Sequence, residues 1–258
     1  MNFAAVVILL REVLEAAVLG SLLLALAQRV GLGSRWFWLA LVVGTVGAWA
    51  YADAIGWVSE LWDYTGQEVV NAAIQFGIFI TFVLLLLALR QPDTPGAWIT
   101  ATMGVVIALT LTRELSEILL YLQNYGAGDS SGTAVLLGAG VGFVTGISVG
   151  VVLYVFAIWV ADWKRAQRAT LITLCIVIAG ILTQAVSLLL QVDRLPHSAP
   201  LWNSEFLISE RGITGQLLYA LVGYEATPTH WHVAVWLLSL AVMLPLTKTR
   251  HPAEAECP

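Results

Sequence analysis

Apolar residues in this chain neither alternate nor keep to one helical face; they run on in long blocks separated by short polar segments. A helix needs about 20 apolar residues to cross a hydrocarbon layer about 30 Å thick, and a window of about 19 residues detects such helices. Seven blocks result, at roughly 3–27, 36–58, 69–89, 97–121, 133–160, 169–190 and 232–246, the last being short. The pattern predicts an all-α polytopic membrane protein with seven transmembrane helices, in a single domain over 1–258. The longest polar interval, 192–231, is predicted to be an external loop. Its Gly212–Val222 portion is expected to form an amphipathic helix that lies on the outer surface or docks a partner.

Orientation follows from the basic residues outside the blocks, because cytoplasmic loops carry an excess of Lys and Arg. Arg29, Arg35, Arg90, Lys164, Arg165, Arg168, Lys248 and Arg250 fall on one side, against Arg194 and Arg211 on the other. The N-terminus is therefore expected outside and the C-terminus in the cytoplasm. Tryptophans agree as an interfacial belt, with Trp36, Trp98, Trp159 and Trp163 at inner borders and Trp57, Trp62, Trp231 and Trp236 at outer ones. The first block lacks a basic leader, is too long for a signal-peptide core and carries charges, so it reads as a retained span.

Composition sharpens this picture. Hydrophobic residues make up 59% and charged residues 11% of the chain, against about 25% charged in soluble domains. No basic stripe suits nucleic acid. Cys175 and Cys257 form neither a disulfide framework nor a metal-ligand spacing.

The few charges inside the blocks are informative. Arg11-Glu12-Val13-Leu14-Glu15 lies within the first block and Arg113-Glu114-Leu115-Ser116-Glu117 within the fourth, each reading R-E-x-x-E. A charge at such depth costs about 2.5–3.5 kcal/mol on insertion scales, and it normally marks an ion or substrate path. At about 100° per residue, Arg11, Glu12 and Glu15 share one face, and so do Arg113, Glu114 and Glu117. Thr110 and Tyr121 lie on that second face as neutral oxygens. A purely structural Arg–Glu pair within each helix would account for one acid but leaves a second acid in lipid.

The motifs stand 102 residues apart, from Arg11 to Arg113, and the same shift carries the second block onto the fifth and the third onto the sixth. Three crossings per copy invert the second copy. The expectation is a 3+3 inverted repeat (about 1–92 and 96–191), followed by the seventh helix and tail (232–258). Secondary transporters place their sites at such repeat interfaces.

Four carboxylates without imidazole or thiolate describe a hard, all-oxygen site. With two guanidiniums the motifs sum to a charge of −2, which a divalent ion balances. A trivalent ion would draw on another acid or a hydroxide, with Glu68, Asp53 and Glu60 as the nearby acids.

The paired motifs resemble those of the iron permease family, which includes fungal high-affinity iron permeases and bacterial oxidase-dependent iron-uptake permeases. Gly66-Gln67-Glu68 with Asn71-Ala72 resembles the family's G-Q-E segment. Gly215-Gln216-Leu217-Leu218, Gly223-Tyr224 and Pro228 resemble its G-x-x-L…G-Y…P stretch. The chain departs from the family at Val13 and Leu115, where many members carry glycine. It departs again at Asn203-Ser204-Glu205, where some carry an acidic motif. The resemblance implies import of iron as Fe³⁺ across the plasma membrane (the inner membrane of a bacterium). The ion would be delivered by a ferroxidase or periplasmic partner, with no resident cofactor. Glu12, Glu15, Glu114 and Glu117 are then the expected metal ligands and Arg11 and Arg113 the charge-compensating residues. Accessory candidates are Glu68, Asp53, Thr110, Tyr121 and Glu205.

Alternatives from the same residues are a transporter of another cation such as lead or manganese, an intramembrane acid–base enzyme, or a non-transporting scaffold. No nucleophile or H-E-x-x-H pattern accompanies the acids to favour an enzyme. Gly138, Gly142, Gly146 and Gly150, spaced by four, predict close helix packing. Gln184 is expected to hydrogen-bond between helices. His197, His230, His232 and His251 fall in loop or tail at spacings that make a poor metal signal.

Overall fold

The computed structural model describes residues 3–91, 93–126, 132–159 and 163–247. Lys248, Arg250, His251 and Cys257 lie outside the described residues, as do the side chains of Trp163 and Lys164. Among the described residues there are eight α-helices and no strand. They are α1 (Phe3–Arg29), α2 (Arg35–Tyr64), α3 (Gly66–Arg90), α4 (Gly96–Gly126), α5 (Gly132–Trp159), α6 (Trp163–Gln191), α7 (Ile213–Val222) and α8 (His230–Leu246). Seven of them overlie the seven apolar blocks; α7 is the added one, inside the predicted external loop. Four (α2, α3, α5 and the Arg165–Gln191 part of α6) are long and apolar enough to cross a membrane. That is the make-up of a membrane-embedded, multi-pass protein. Helices α1 and α4 are of similar length and carry the internal Arg and Glu residues.

Helices α1, α3, α4 and α6 supply the buried centre, which includes Leu19, Leu23 and Leu26, Phe82 and Leu85, Met103 and Ile107, and Leu174 and Ile178. In the apolar windows, 78% of α6 is buried against 22% of α2 and of α5. Helix α6 is therefore central, and α2 and α5 flank the bundle. The flanking helices turn bulky side chains such as Trp38, Val42, Leu137 and Phe156 outward. Helix α5 packs along α1 and α2 along α4.

Small residues make those two seams. Lipid tails are as apolar as leucine, so helices in a bilayer associate largely through close packing of small side chains. On α5, Gly142, Gly146 and Gly150 are buried, and a Cβ at Gly146 would lie 2.8 Å from Val13 Cγ1 and 3.2 Å from the Leu14 nitrogen. On α2, Ala40, Gly44, Ala48 and Ala52 form a buried row, and a Cβ at Gly44 would lie 2.6 Å from Leu111 Cβ. The glycine row thus packs, as its spacing predicts. Its counterpart on α2 escapes notice in the sequence because alanines replace most of the glycines. Arg29 is buried at the end of α1 and donates to the Ala157 carbonyl near the end of α5, a favourable place for a cation.

Regular helix in α2 ends near Glu60. Leu61 is extended, and Trp62, Asp63 and Tyr64 take left-handed φ values of 52°, 61° and 64°. Each costs about 1–2 kcal/mol for a residue with a side chain. The turn brings Gly66 onto the Val58 carbonyl so closely that any Cβ there would overlap it. That contact accounts for the glycine of the Gly66-Gln67-Glu68 segment.

Replacing Gly146 by leucine should open the α1–α5 seam and cost about 1–3 kcal/mol, the usual range for overpacking. Gly140, on the same helix, has no atom within 4 Å of a built Cβ, and Gly140→Leu should leave stability unchanged. Thermal unfolding of both variants in detergent tests this; equal losses would refute the seam.

Candidate functional site

Helices α1 and α4 meet with their charged motifs facing. Arg113, 3% exposed, reaches acids on both helices. Its Nη1 donates to Glu114 Oε1 at 2.7 Å and to Glu15 Oε1 at 3.2 Å, and its Nη2 donates to Gln184 Oε1 at 3.2 Å. Its Nε stands 3.4 Å from Glu117 Oε1 as an ion-pair contact. One guanidinium thus serves three carboxylates, using the fixed fork of donors that distinguishes arginine from lysine.

Arg11 is placed differently. Its Nε lies 3.3 Å from Glu12 Oε1, its side chain keeps 28% exposure, and its guanidinium carbon sits 5.4 Å from the centre of the Tyr219 ring. That is cation–π range. The two arginines, alike in sequence, therefore differ in surroundings, one enclosed among acids and one at the edge under α7.

The four acids divide as well. Glu15 accepts from Arg113 and, at 3.4 Å, from Gln184 Nε2; Glu117 accepts from Asn71 Nδ2 at 3.4 Å. Glu12 and Glu114, 3% and 1% exposed, lie within hydrogen-bonding reach of one another. Each leaves its Oε2 buried without a hydrogen-bond partner. Both line a cavity of about 620 Å³ walled mainly by apolar side chains of α1, α2, α4 and α5, including Leu41, Ile107, Phe143 and Ile147. Two facing buried acids repel if both are ionised, and a proton shared between them or a cation relieves the repulsion. Among the described residues no group of three or more His, Cys, Asp or Glu side chains has the geometry to hold a metal ion. In this arrangement Arg113 stands among three of the four carboxylates.

Three amides buttress the cluster. Gln184, on α6, accepts from Arg113 Nη2 and from Gln75 Nε2 at 3.3 Å. Its own Nε2 faces Glu15 and the carbonyls of Tyr219 and Ala220, at 3.3 and 3.2 Å. This amide is the interhelical hydrogen-bonding residue expected from sequence, and it ties α3, α4, α1 and α7 to α6. Asn71 passes the chain outward, accepting from the Tyr51 hydroxyl at 3.0 Å. Sequence reasoning missed Tyr51, Asn71 and Gln75 as members of the cluster. The signal was present, since Asn71 and Gln75 are polar, four apart and on one face of an otherwise apolar helix.

Helix α7 is half-buried. It packs against α6 and α1, and a Cβ on Gly180 of α6 would come within 2.6–2.7 Å of the Val222–Gly223 backbone. Gly223, at φ 68°, ends α7 with a left-handed cap, Tyr224 N donating to Leu218 O and Gly223 N to Tyr219 O. The Tyr219 and Ala220 carbonyls are satisfied by Gln184.

The remaining sequence candidates are scattered. The Thr110 hydroxyl is buried and donates to Val106 O of its own helix, at 2.9 Å. Tyr121 packs beside Leu9, Val13 and Ile118. Glu68 is half-buried in the first turn of α3, Asp53 and Glu60 are exposed on α2, and Glu205 is exposed in the loop, accepting from Ser209 Oγ at 2.7 Å. Cys175 is a buried, free core thiol. Trp231 and Trp236 donate to Pro196 O and Val222 O, pinning the loop to α8.

No model of a known protein family, no curated protein and no solved structure matches this chain.

The asymmetry of the arginines gives a test. Arg113→Ala removes the shared partner of buried acids and should cost about 3–5 kcal/mol, as loss of one member of a buried ion pair does. Arg11→Ala, with a partly exposed side chain, should cost about 1 kcal/mol or less. Unfolding of the two variants in detergent checks this, and equal effects would contradict the division.

Proposed function

We propose that this protein is a permease that imports iron, as Fe³⁺, across the plasma membrane (a bacterial inner membrane), through the carboxylates of its two R-E-x-x-E motifs. The observation that carries the reading is the juxtaposition of Glu12 and Glu114, two buried acids from different helices that face one another beside a cavity. Such a pair in a cavity of about 620 Å³ offers hard oxygen ligands to a cation. Glu15 and Glu117, held by Arg113, Gln184 and Asn71, complete the ligand set as Arg113 withdraws. A guanidinium cannot ligate a metal. Arg113 therefore balances the acids until a cation takes its place, and the two positive charges do not share the site.

The reading includes an inverted repeat with the N-terminus outside and the C-terminus in the cytoplasm. Support comes from the pairing of α1 with α5 and of α2 with α4, the pairing that exchange of two halves would produce. Ala40, Gly44 and Ala48 of α2 also stand 102 residues before Gly142, Gly146 and Gly150 of α5, the same shift that relates the motifs. Alternating access then amounts to one half rocking against the other around the motif crossing. The protein acts as a transporter rather than an enzyme, needs no cofactor, and receives iron from a ferroxidase or periplasmic partner. A divalent cation such as manganese or lead is the second reading, favoured by the motif charge of −2.

Glu12→Gln and Glu114→Gln should each lower iron uptake into sealed proteoliposomes at least about tenfold, equivalent to about 1.4 kcal/mol, with normal membrane insertion. Uptake of manganese or lead in place of iron by the wild type would select the second reading. Near-normal iron uptake by both variants would reject the site.

A further inference from the structure

A second cavity, of about 340 Å³, lies between the end of α7, the loop after it, α6 and α8. Pockets of that order, about 300 Å³ and above, admit a small molecule or a headgroup. Its walls are mainly apolar and aromatic, with Trp202, Tyr224 and Trp236 among them and Glu225 as the one carboxylate. The polar atoms of most wall side chains are already engaged. His232 Nδ1 accepts the Thr229 backbone N–H at 3.1 Å, so Nε2 bears the proton and donates to Glu225 Oε2 at 2.9 Å. The Thr183 hydroxyl donates to Ala179 O at 2.9 Å, and Trp236 Nε1 to Val222 O at 3.2 Å. The Tyr224 hydroxyl donates to Ile208 O at 3.0 Å and sits 3.0 Å from Ser204 Oγ. What Tyr224 and Trp236 can still offer the cavity is ring carbon.

Glu225 is the exception. Its contacts with His232 and Ser187 both fall on Oε2, which leaves Oε1 without a hydrogen-bond partner among the described residues. A neutral imidazole does not cancel the charge of this carboxylate. The walls are also preformed. Leu201 N donates to Pro228 O and Ser204 N to Ala226 O, both at 2.8 Å, which ties the segment bearing Trp202 against the loop bearing Glu225.

From this arrangement we infer that the cavity binds a quaternary ammonium group, its charge against Glu225 Oε1 and its methyl groups against Trp202, Tyr224 and Trp236. A carboxylate within aromatic walls attracts an organic cation through charge and through the ring quadrupoles. The lack of further acceptors selects the kind of cation. A primary ammonium carries three N–H donors, and a single free oxygen would leave two of them buried and unpaired, which is costly. A trimethylammonium group has no donor to satisfy. A metal ion finds a single free oxygen here, and an anion meets a carboxylate. The exposed Leu237 of the apolar helix α8 forms part of the wall, which puts the cavity within reach of a phosphatidylcholine headgroup as well as of free choline. The inference stands apart from the permease reading.

The test uses the purified full chain in a maltoside detergent, which carries no ammonium group. Choline is titrated in and followed by calorimetry and by saturation-transfer NMR at its methyl protons. Saturable binding with transfer to the methyl groups is expected. Two analogues, tert-butylethanol (the uncharged isostere of choline) and ethanolamine (without the methyl groups), should each bind at least about tenfold more weakly. Glu225→Gln and Trp202→Ala should each weaken choline binding about tenfold, with unfolding of the ligand-free variants in detergent as the check that they fold. Glu12→Gln with Glu114→Gln should leave choline binding unchanged. No saturable choline binding by the wild type, or equal binding of either analogue, would overturn the site whatever the variants do. So would choline binding that survives both Glu225→Gln and Trp202→Ala, or that is lost with the motif acids. Dihexanoyl phosphatidylcholine that binds more tightly than choline and is displaced by it assigns the site to a lipid headgroup. Choline binding with no gain from acyl chains assigns it to the free cation.

Discussion

Everything around the crossing of α1 and α4 answers to one constraint, the guanidinium of Arg113 held 3% exposed among three carboxylates. Neither partner is tolerable alone in a medium that solvates charge poorly, and the attraction offsets the desolvation only where the geometry is good and the remaining donors and acceptors are satisfied. Gln184 takes the second Nη of Arg113, and Asn71 donates to Glu117. The acids nearest the cavity, Glu12 and Glu114, are the ones left with unsatisfied oxygens. Buried polar clusters that are only partly satisfied are expensive, and proteins keep them chiefly where function requires them.

Packing gives this cluster its rigidity. The small-residue seams press α5 onto α1 and α2 onto α4, so each motif-bearing helix has its own buttress on the outer flank. Gly180 does the same for α7, admitting its backbone close enough for two carbonyls to meet Gln184. A chain segment that hydropathy alone would leave in water thus becomes part of the wall of the site.

The sequence discloses the helices well because bilayer-length apolar blocks are a strong signal, and α1, α3, α5 and α8 begin and end close to the expected limits. The two R-E-x-x-E motifs were legible for the same reason, as charges where none is cheap. Less legible was how the acids would be shared. Arg11 and Arg113 read as equivalents, yet only Arg113 is enclosed. That difference comes from Gln184 and α7, which have no counterpart 102 residues away. The sequence marks α7 as an amphipathic helix on the outer surface or at a partner, but amphipathicity does not disclose that its carbonyls meet the buried amide of Gln184. The hydrogen-bond partners of His232, Glu225 and Ser187, come from other segments, so its spacing to His230 gives no sign of them.

The central claim is that Glu12 and Glu114, from different helices, hold one ion together. Its most direct test is the coupling between them in iron affinity, measured on the purified protein with Glu12→Gln, Glu114→Gln and the double variant. Residues that share one ligand interact by about 0.5–3 kcal/mol in such a cycle, whereas independent sites add. The account predicts strong non-additivity, with the second substitution costing little once the first is made. Strictly additive losses, or iron affinity unchanged in the double variant, would contradict it.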